Sequence, residues 1–484
     1  MSLAEQIDFG TSGLRGRAMG FTGQNIAAYI GAFLEHVVGD AGPKRVYVGA
    51  DLRASSPQIA ADCLAAIKAE GWDVVYAGNV PTPALAAYAL MEKCPALMVT
   101  GSHIPENYNG IKFYRRDGEL MKNDEAPMRA AAAKRLEDPR TLLPLELPVP
   151  NPDIARAYVG RFTLAFASNA LAGLRLGVDL HSAVGRDLLV EILTALGAEC
   201  LPFRRSAHFI AVDTEALSAE DIARAKTMLA EHKLDAIVST DGDGDRPLLI
   251  DARGRQVNGD VLGALTARRL NIPVVVTPLS STSAIEQSGW FTTVVRTRIG
   301  SPYVVAAMSH AATFGDAVGG FEANGGFLLE SDLDLGPGRL ARLPTRDALL
   351  PLICVLADAV EKDLPVSGLV DDLPARFMQA DRLKQVSPER GRGFLAAMAG
   401  SAEARAQVDP RLATPLEVDR LDGVRMSFAD GSIVHFRQSG NAPELRCYVE
   451  TGSRRSTGVM LKQIVGGLEA FLAADNMGPQ EFEA

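Results

Sequence analysis

The sequence predicts an α/β protein, with three repeated mixed α/β domains and a smaller α+β C-terminal domain around a central cleft. Three observations predict it. One supersecondary pattern recurs three times: a short apolar strand, a polar turn, a helix, then a glycine and a second strand. Each copy leads on to a further strand that ends in an unusual loop. Beyond Val370 that rhythm stops, and a strand running into an Asp-Gly hairpin turn replaces it.

The first copy has its strand and turn at Arg45–Ser56, a helix to Glu70 and a second strand at Gly71–Tyr76. In the second copy the strand and turn are Arg175–Ser182, the helix reaches Leu196 and Gly197–Leu201 follows. The third runs from Pro273–Ser281 through a helix to Ser288, then to Gly289–Val295. The loops that end the further strands are Thr100–His103, Asp241–Arg246 and Gly319–Gly326. Open α/β sheets bind ligands beyond the carboxyl ends of their strands, so the three loops are expected to face one cleft. Pro144–Pro152 is rich in proline and reads as a linker. In the last part of the chain, Leu421–Gly431 and Ser432–Thr451 read as hairpin strands, and a helix covers Ser456 to Ala474. The expected domains are 1–148, 149–254, 255–369 and 370–484.

Composition narrows the function. The chain is 47% hydrophobic and 22% charged, an ordinary globular balance, with a formal net charge of −10. An acidic chain without a basic run argues against nucleic acid or an anionic membrane as partner. A local cluster of arginines can still bind phosphate. The five cysteines are scattered and never form a Cys-x-x-Cys pair, so neither a disulfide framework nor a zinc site is expected. No basic-then-apolar leader pattern opens the chain, and its best apolar run, Leu349–Val360, is short and carries Asp358. A cytoplasmic protein with no membrane partner is the expectation.

The acidic loop carries the most specific chemistry. A buried strand is expected at Leu234–Thr240, and Asp241-Gly-Asp-Gly-Asp245 leaves its end. Three carboxylates at alternate positions repel one another, and a divalent cation turns that repulsion into coordination. The EF-hand pattern fails, because its sixth place is Arg246 rather than Gly and its twelfth is Ala252 rather than Glu. A plain solvated acidic turn is the remaining alternative. Mg²⁺ suits the loop, since it takes few protein carboxylates and completes its shell with phosphate oxygens.

Thr100-Gly-Ser-His-Ile-Pro105 follows the apolar run Ala96–Val99. Ser102, beside Gly101 and His103 at a strand end, is a candidate nucleophile, although the tripeptide alone also reads as a turn. A phosphorylated Ser102 would supply an oxygen to a metal at Asp241, Asp243 and Asp245. Lys112 is then a nearby cation for charge balance or proton transfer; its alternative is a surface lysine after an Asn-Gly turn. The glycine-rich Gly319–Gly326 offers Glu322 and Asn324 to sugar hydroxyls. Arg437 and Arg446 flank a turn suited to a phosphate dianion. Phe9–Gly16 is a further glycine-rich stretch with Arg15, and neither a Walker loop nor a dinucleotide fingerprint is present.

Taken together, these motifs resemble the α-D-phosphohexomutase superfamily, most closely its phosphomannomutase/phosphoglucomutase branch. The serine loop of that family, Thr-Gly/Ala-Ser-His-x-Pro followed by Asn-Gly-x-Lys, is matched by Thr100–Pro105 and Asn109–Lys112. Its metal loop Asp-Gly-Asp-x-Asp-Arg is matched by Asp241–Arg246, and Gly-Thr-x-Gly-x-Arg-Gly by Gly10–Gly16. Its phosphate loop is matched by Arg437–Pro443, with Asn441 where Thr is usual. The sugar loop departs: Ser of the family becomes Asn324 and His becomes Gly326.

The resemblance implies four domains and transfer of a phosphoryl group between O1 and O6 of a hexose phosphate, mannose first and glucose second. Ser102 would carry the phosphate, with Mg²⁺ on Ser102, Asp241, Asp243 and Asp245 and a hexose 1,6-bisphosphate as primer. Lys112, His103 and Arg15 would serve the transfer. Arg246, Glu322, Asn324, Arg437, Ser439, Asn441 and Arg446 would bind substrate. The implied molecule is a monomer or weak homo-oligomer. The alternatives are a phosphoglucosamine mutase, a silent sugar-phosphate-binding paralogue, and a Mg²⁺-dependent phosphatase that has no need of Ser102.

Overall fold

The computed structural model describes residues 7–10, 12–143, 145–439 and 443–474. Its chain divides into two compact units. The first comprises Met1–Thr277, Trp290–Val295 and Gly300–Asp372, and the second Pro278–Gly289, Arg296–Ile299 and Leu373–Ala484.

The repeat expected from the sequence is present as three sheets with one shared strand order. In the first sheet, Tyr108–Tyr114, Ala96–Val99, Arg45–Ala50 and Asp73–Asn79 lie side by side, and Leu14–Arg17 then Asp8–Phe9 extend the edge. In the second, the order is Pro247–Asp251, Ala236–Thr240, Arg175–Asp179, Glu199–Phe203. The third has Leu343–Asp347, Phe327–Leu329, Val318–Phe321, Val274–Pro278, Thr293–Thr297. In every copy the loop-bearing strand pairs parallel with the first strand and antiparallel with the strand that follows the loop. Each loop is therefore the tip of a hairpin whose first strand is central.

Burial explains the sequence of these strands. Ala96–Val99, Ala236–Thr240 and Val318–Phe321 are buried at every position, as interior strands of these mixed sheets with helices packed against them. In the first sheet Val46, Val48, Leu97, Val99, Ile111 and Phe113 pack with Ile26, Ile30 and Phe33 of helix Gly23–Phe33 and with Leu64 and Ile67 of helix Ser56–Ala69. Thr22 starts the former helix by accepting a hydrogen bond from the Asn25 amide. Asn109 and Gly110 lie inside strand Tyr108–Tyr114, which buries Lys112, so the alternative of a surface lysine after an Asn-Gly turn does not hold.

In the second unit a five-stranded antiparallel sheet runs Phe377–Lys384, Glu444–Thr451, Ile433–Gln438, Val424–Ser427, Glu417–Asp419. Helix Arg454–Ala473 packs on it through a core that includes Phe394, Phe436, Ile464 and Phe471. The sequence held no sign that Pro278–Gly289 joins this unit. It does so through Glu450, 1% exposed, which accepts from the Thr282 hydroxyl at 2.6 Å and the Ser283 amide at 3.0 Å. Among the described residues no helix is long and apolar enough to cross a membrane.

Candidate active site

Ser102 sits just beyond the buried strand Ala96–Val99 with φ +52°, in the left-handed region that a residue with a Cβ enters at a cost of about 1–2 kcal/mol. A buried arginine holds it there. Arg53, 1% exposed, donates from Nη2 to the carbonyls of Ser102 (2.9 Å) and Ile104 (2.6 Å), and from Nη1 to those of Pro105 (2.7 Å) and Tyr108 (3.0 Å). Asp51 anchors the same loop, accepting from Arg53 Nε at 3.2 Å, the Thr100 hydroxyl at 2.8 Å and the Gly101 amide at 3.3 Å. A Cβ at Gly101 would meet the Arg53 guanidinium carbon at 2.6 Å, so a larger residue there would displace that guanidinium from its loop contacts.

The serine reaches the acidic loop directly. Ser102 Oγ donates to Asp241 Oδ2 at 2.6 Å and lies 3.3 Å from His103 Nδ1. Asp241, Asp243 and Asp245 are all buried, and one oxygen of each falls within 4.8 Å of the others. That burial excludes the solvated acidic turn. Lys112 Nζ donates to Asp243 Oδ2 and Asp245 Oδ2, both at 2.6 Å, and the Thr82 hydroxyl donates to Asp243 Oδ2 at 2.5 Å. Among the described residues none donates a hydrogen bond to Asp243 Oδ1 or Asp245 Oδ1, although both are buried. Buried carboxylate oxygens left without a donor are costly, and a divalent cation with a preference for oxygen satisfies them. The residues present therefore fit a metal.

The electrostatics follow from this packing. Burial, with repulsion from Asp243 and Asp245, pushes the Asp241 carboxyl well above the usual carboxylate range. Asp245 is held below it, because Arg346, Lys112 and Arg246 outweigh the opposing effect of burial. Burial disfavours the charged form of Lys112, but Asp243 and Asp245 outweigh it and raise its pKa. His103 is lowered to about 4 by burial and by the positive charges of Arg246 and Arg15, so it is neutral near pH 7. Arg15 is lowered by burial and by Arg246 and Arg346. Positive charge thus gathers beside the serine and suits a dianionic phosphoryl group.

The sugar loop lies on the hairpin between Val318–Phe321 and Phe327–Leu329, with Glu322 and Asn324 buried. Asn324 Nδ2 donates to Glu322 Oε2 at 3.3 Å. Arg346, on strand Leu343–Asp347, links this loop to the acidic loop: Nη1 donates to Glu322 Oε2 at 3.0 Å and Nη2 to Asp245 Oδ2 at 2.9 Å. Arg246 lies 3.5 Å from Glu215 and 3.7 Å from Asp245 Oδ1. Ser102, His103, Lys112, Arg15, the three aspartates, Arg246, Glu322 and Asn324 therefore belong to one compact unit.

Arg437, Ser439 and Arg446 belong to the second unit. Arg437 and Arg446 are cross-strand partners, which puts two guanidinium groups side by side on the ladder. Arg437 Nε donates to Asp422 Oδ2 at 2.8 Å, and the Ser439 amide donates to the Glu444 carbonyl at 2.9 Å. Asn441 lies outside the described residues.

Sequence reasoning missed Arg53, Asp51, Thr82 and Arg346. Asp51 and Arg53 follow the first strand of a copy at its carboxyl end, where ligand loops gather, and that position was a usable signal. Nothing local marks Thr82 or Arg346.

Comparison with known proteins places the chain among relatives. Family models described as phosphoglucomutase/phosphomannomutase α/β/α domains I, II and III match residues 6–137, 156–254 and 258–377. A phosphomannomutase of Salmonella muenchen is 39% identical over 467 residues, covering 96% of either chain. One of Sinorhizobium fredii is 42% identical over 449 residues, 91% of this chain and 94% of its own. A phosphoglucosamine mutase of Maricaulis maris is more distant, at 29% over 483 residues, 95% of this chain and 98% of its own. Among solved structures, a phosphoglucomutase/phosphomannomutase family protein of Burkholderia thailandensis shares the fold with a TM-score of 0.74 at 21% identity, covering 97% of this chain and 98% of its own.

Proposed function

The chain belongs to the phosphoglucomutase/phosphomannomutase family of the α-D-phosphohexomutases, and from that premise we propose that it interconverts mannose 1-phosphate and mannose 6-phosphate, with glucose phosphates as further substrates. The observation that carries the reading is the 2.6 Å hydrogen bond from Ser102 Oγ to Asp241, within a buried triad in which Asp243 Oδ1 and Asp245 Oδ1 lack donors among the described residues. A catalytically silent binder has no use for a nucleophile so placed. Glucosamine phosphates are less favoured, since relatives so described are more distant than the phosphomannomutases.

In this reading Ser102 enters the cycle phosphorylated. The Oγ–P bond breaks as a P–O bond forms to the free O6 or O1 of the hexose monophosphate. The sugar hydroxyl loses its proton and Ser102 Oγ takes one up, giving a hexose 1,6-bisphosphate. After the bisphosphate turns over, Ser102 Oγ attacks its other phosphorus and the isomeric monophosphate leaves. Lys112, protonated between Asp243 and Asp245, is the proton donor of the pair, and Arg15 and neutral His103 line the phosphoryl group. Mg²⁺ held by Ser102, Asp241, Asp243 and Asp245 supplies positive charge against the phosphoryl oxygens when bound. Glu322 and Asn324 read sugar hydroxyls, Arg246 assists, and Arg437, Ser439, Asn441 and Arg446 grip the phosphate that is not reacting. The serine, acidic and Glu322 loops fall in the expected domains 1–148, 149–254 and 255–369, and the Arg437–Arg446 loop in 370–484. A monomer or weak homo-oligomer in a reducing cytoplasm fits the free cysteines among the described residues.

A primed assay of mannose 1-phosphate to mannose 6-phosphate, run with intact-mass measurement, tests the proposal. The expected results are turnover dependent on hexose 1,6-bisphosphate and one phosphate on Ser102. Ser102→Ala should lose at least roughly 10³-fold in kcat. Full activity of that variant would overturn the mechanism.

A further inference from the structure

Arg346 belongs to no motif, yet its side chain makes four hydrogen bonds within the site. Its side chain is 4% exposed. Its guanidinium donates to Glu322 Oε2 from Nη1 at 3.0 Å, to Asp245 Oδ2 from Nη2 at 2.9 Å and Nε at 3.1 Å, and to the Ser12 hydroxyl at 3.2 Å. The forked contact to two carboxylates is geometry that a lysine cannot reproduce.

Glu322 is held from one side only. Its Oε2 accepts from both Arg346 and Asn324, whereas its Oε1 accepts no hydrogen bond among the described residues. An oxygen fixed in direction but left free is what recognition of vicinal hydroxyls requires. The glycine at 326 belongs to the same arrangement. A Cβ there would meet Arg346 Cβ at 2.7 Å and Cδ at 2.8 Å, and the Asp245 carbonyl at 2.5 Å. The Arg346 stem thus fills the volume that a side chain at 326 would need, and the Gly326 departure and Arg346 form one unit. Asn324, the other departure, completes it by donating to Glu322 and accepting from the Gly326 amide at 3.1 Å.

We propose that Arg346 is the positioning residue of sugar recognition. It fixes Glu322 so that Oε1 faces the hexose hydroxyls, and ties that carboxylate to Asp245 of the acidic loop. The inference rests on the reading that Glu322 binds the sugar.

The test compares wild type, Arg346→Lys, Arg346→Met, Glu322→Gln and the double variant Arg346→Met/Glu322→Gln in full-length, Ser102-phosphorylated protein. KM and kcat are measured on mannose 1-phosphate and glucose 1-phosphate, with thermal unfolding alongside. The expected result is a KM raised about tenfold or more by Arg346→Met and by Glu322→Gln, and a double variant no worse than the poorer single. Arg346→Lys should recover only part of the loss. Multiplying losses, or a fall in kcat or unfolding temperature at unchanged KM, would overturn the proposal. Should Arg346→Met fail to fold, the same comparison between Arg346→Lys, Glu322→Gln and their double variant decides it. If wild type lacks mutase activity, the function proposed above fails by itself. Calorimetric Kd values for mannose 1-phosphate across the same variants then decide the role of Arg346.

Discussion

Lys112 Nζ lies 2.6 Å from Asp245 Oδ2 and the same distance from Asp243 Oδ2, so one buried ammonium pairs with two carboxylates of the acidic loop and offsets one of their charges. A divalent cation at the loop would meet the same two side chains. Lysine and metal therefore share one electrostatic task, and each makes the other less necessary for stability.

Lys112→Met is expected to destabilise metal-free protein by about 3–5 kcal/mol, because it leaves buried carboxylates uncompensated. Added Mg²⁺ should then raise the unfolding temperature of the variant more than that of wild type. Thermal unfolding with and without Mg²⁺ checks this, and equal shifts would contradict the shared role.

Arg53→Lys is expected to cost about 2–4 kcal/mol, since four loop carbonyls lose a donor fork that one ammonium cannot replace. The left-handed backbone of Ser102 would relax, so kcat should fall more than KM rises. Urea denaturation and steady-state kinetics measure the two effects.

Gly326→Ala should be destabilising by about 1–3 kcal/mol, because its Cβ would fall 2.5 Å from the Asp245 carbonyl. Backbone rather than a flexible side-chain tip blocks the site, and relaxation offers little relief. A denaturation midpoint within error of wild type would refute this.

His103 carries a pH signature. Its pKa is lowered to about 4, below the ordinary value near 6.5, so between those limits the unfolded chain binds more protons than the folded one. The stability contributed by neutral His103 is complete above pH 6.5 and lost as pH falls through 4. The expected slope is up to about 1.4 kcal/mol per pH unit in that window. Chemical denaturation across pH 4–7 should show a shallower slope for His103→Gln than for wild type.

Much of this was legible in advance because it is local. The apolar runs Ala96–Val99 and Ala236–Thr240 announce central strands by having no polar face, and the loops after them stand out against that background. Asp241, Asp243 and Asp245 fit a cation site, being costly together without one. The strand order, by contrast, emerged only in the fold: in each sheet the loop-bearing strand pairs parallel with the first strand and antiparallel with its successor. Lys112 was legible by type but not by setting: Asn109-Gly110 looks like a turn, yet it is held inside a strand.

The sequence by itself determined the α/β repeat and the cluster of three carboxylates, because periodicity and uncompensated charge are properties of neighbours in the chain. Ser102 stood out only together with the other motifs, and its contact with Asp241 spans 139 positions. Only the tertiary structure decided which distant side chains complete them. Thr82 meets Asp243 across 161 positions, Arg53 meets Ser102 across 49, and Arg346 meets Asp245 across 101. A buried charge or carbonyl must find a partner in space, and a chain packed at protein density supplies it from whichever element lies nearest, irrespective of sequence spacing.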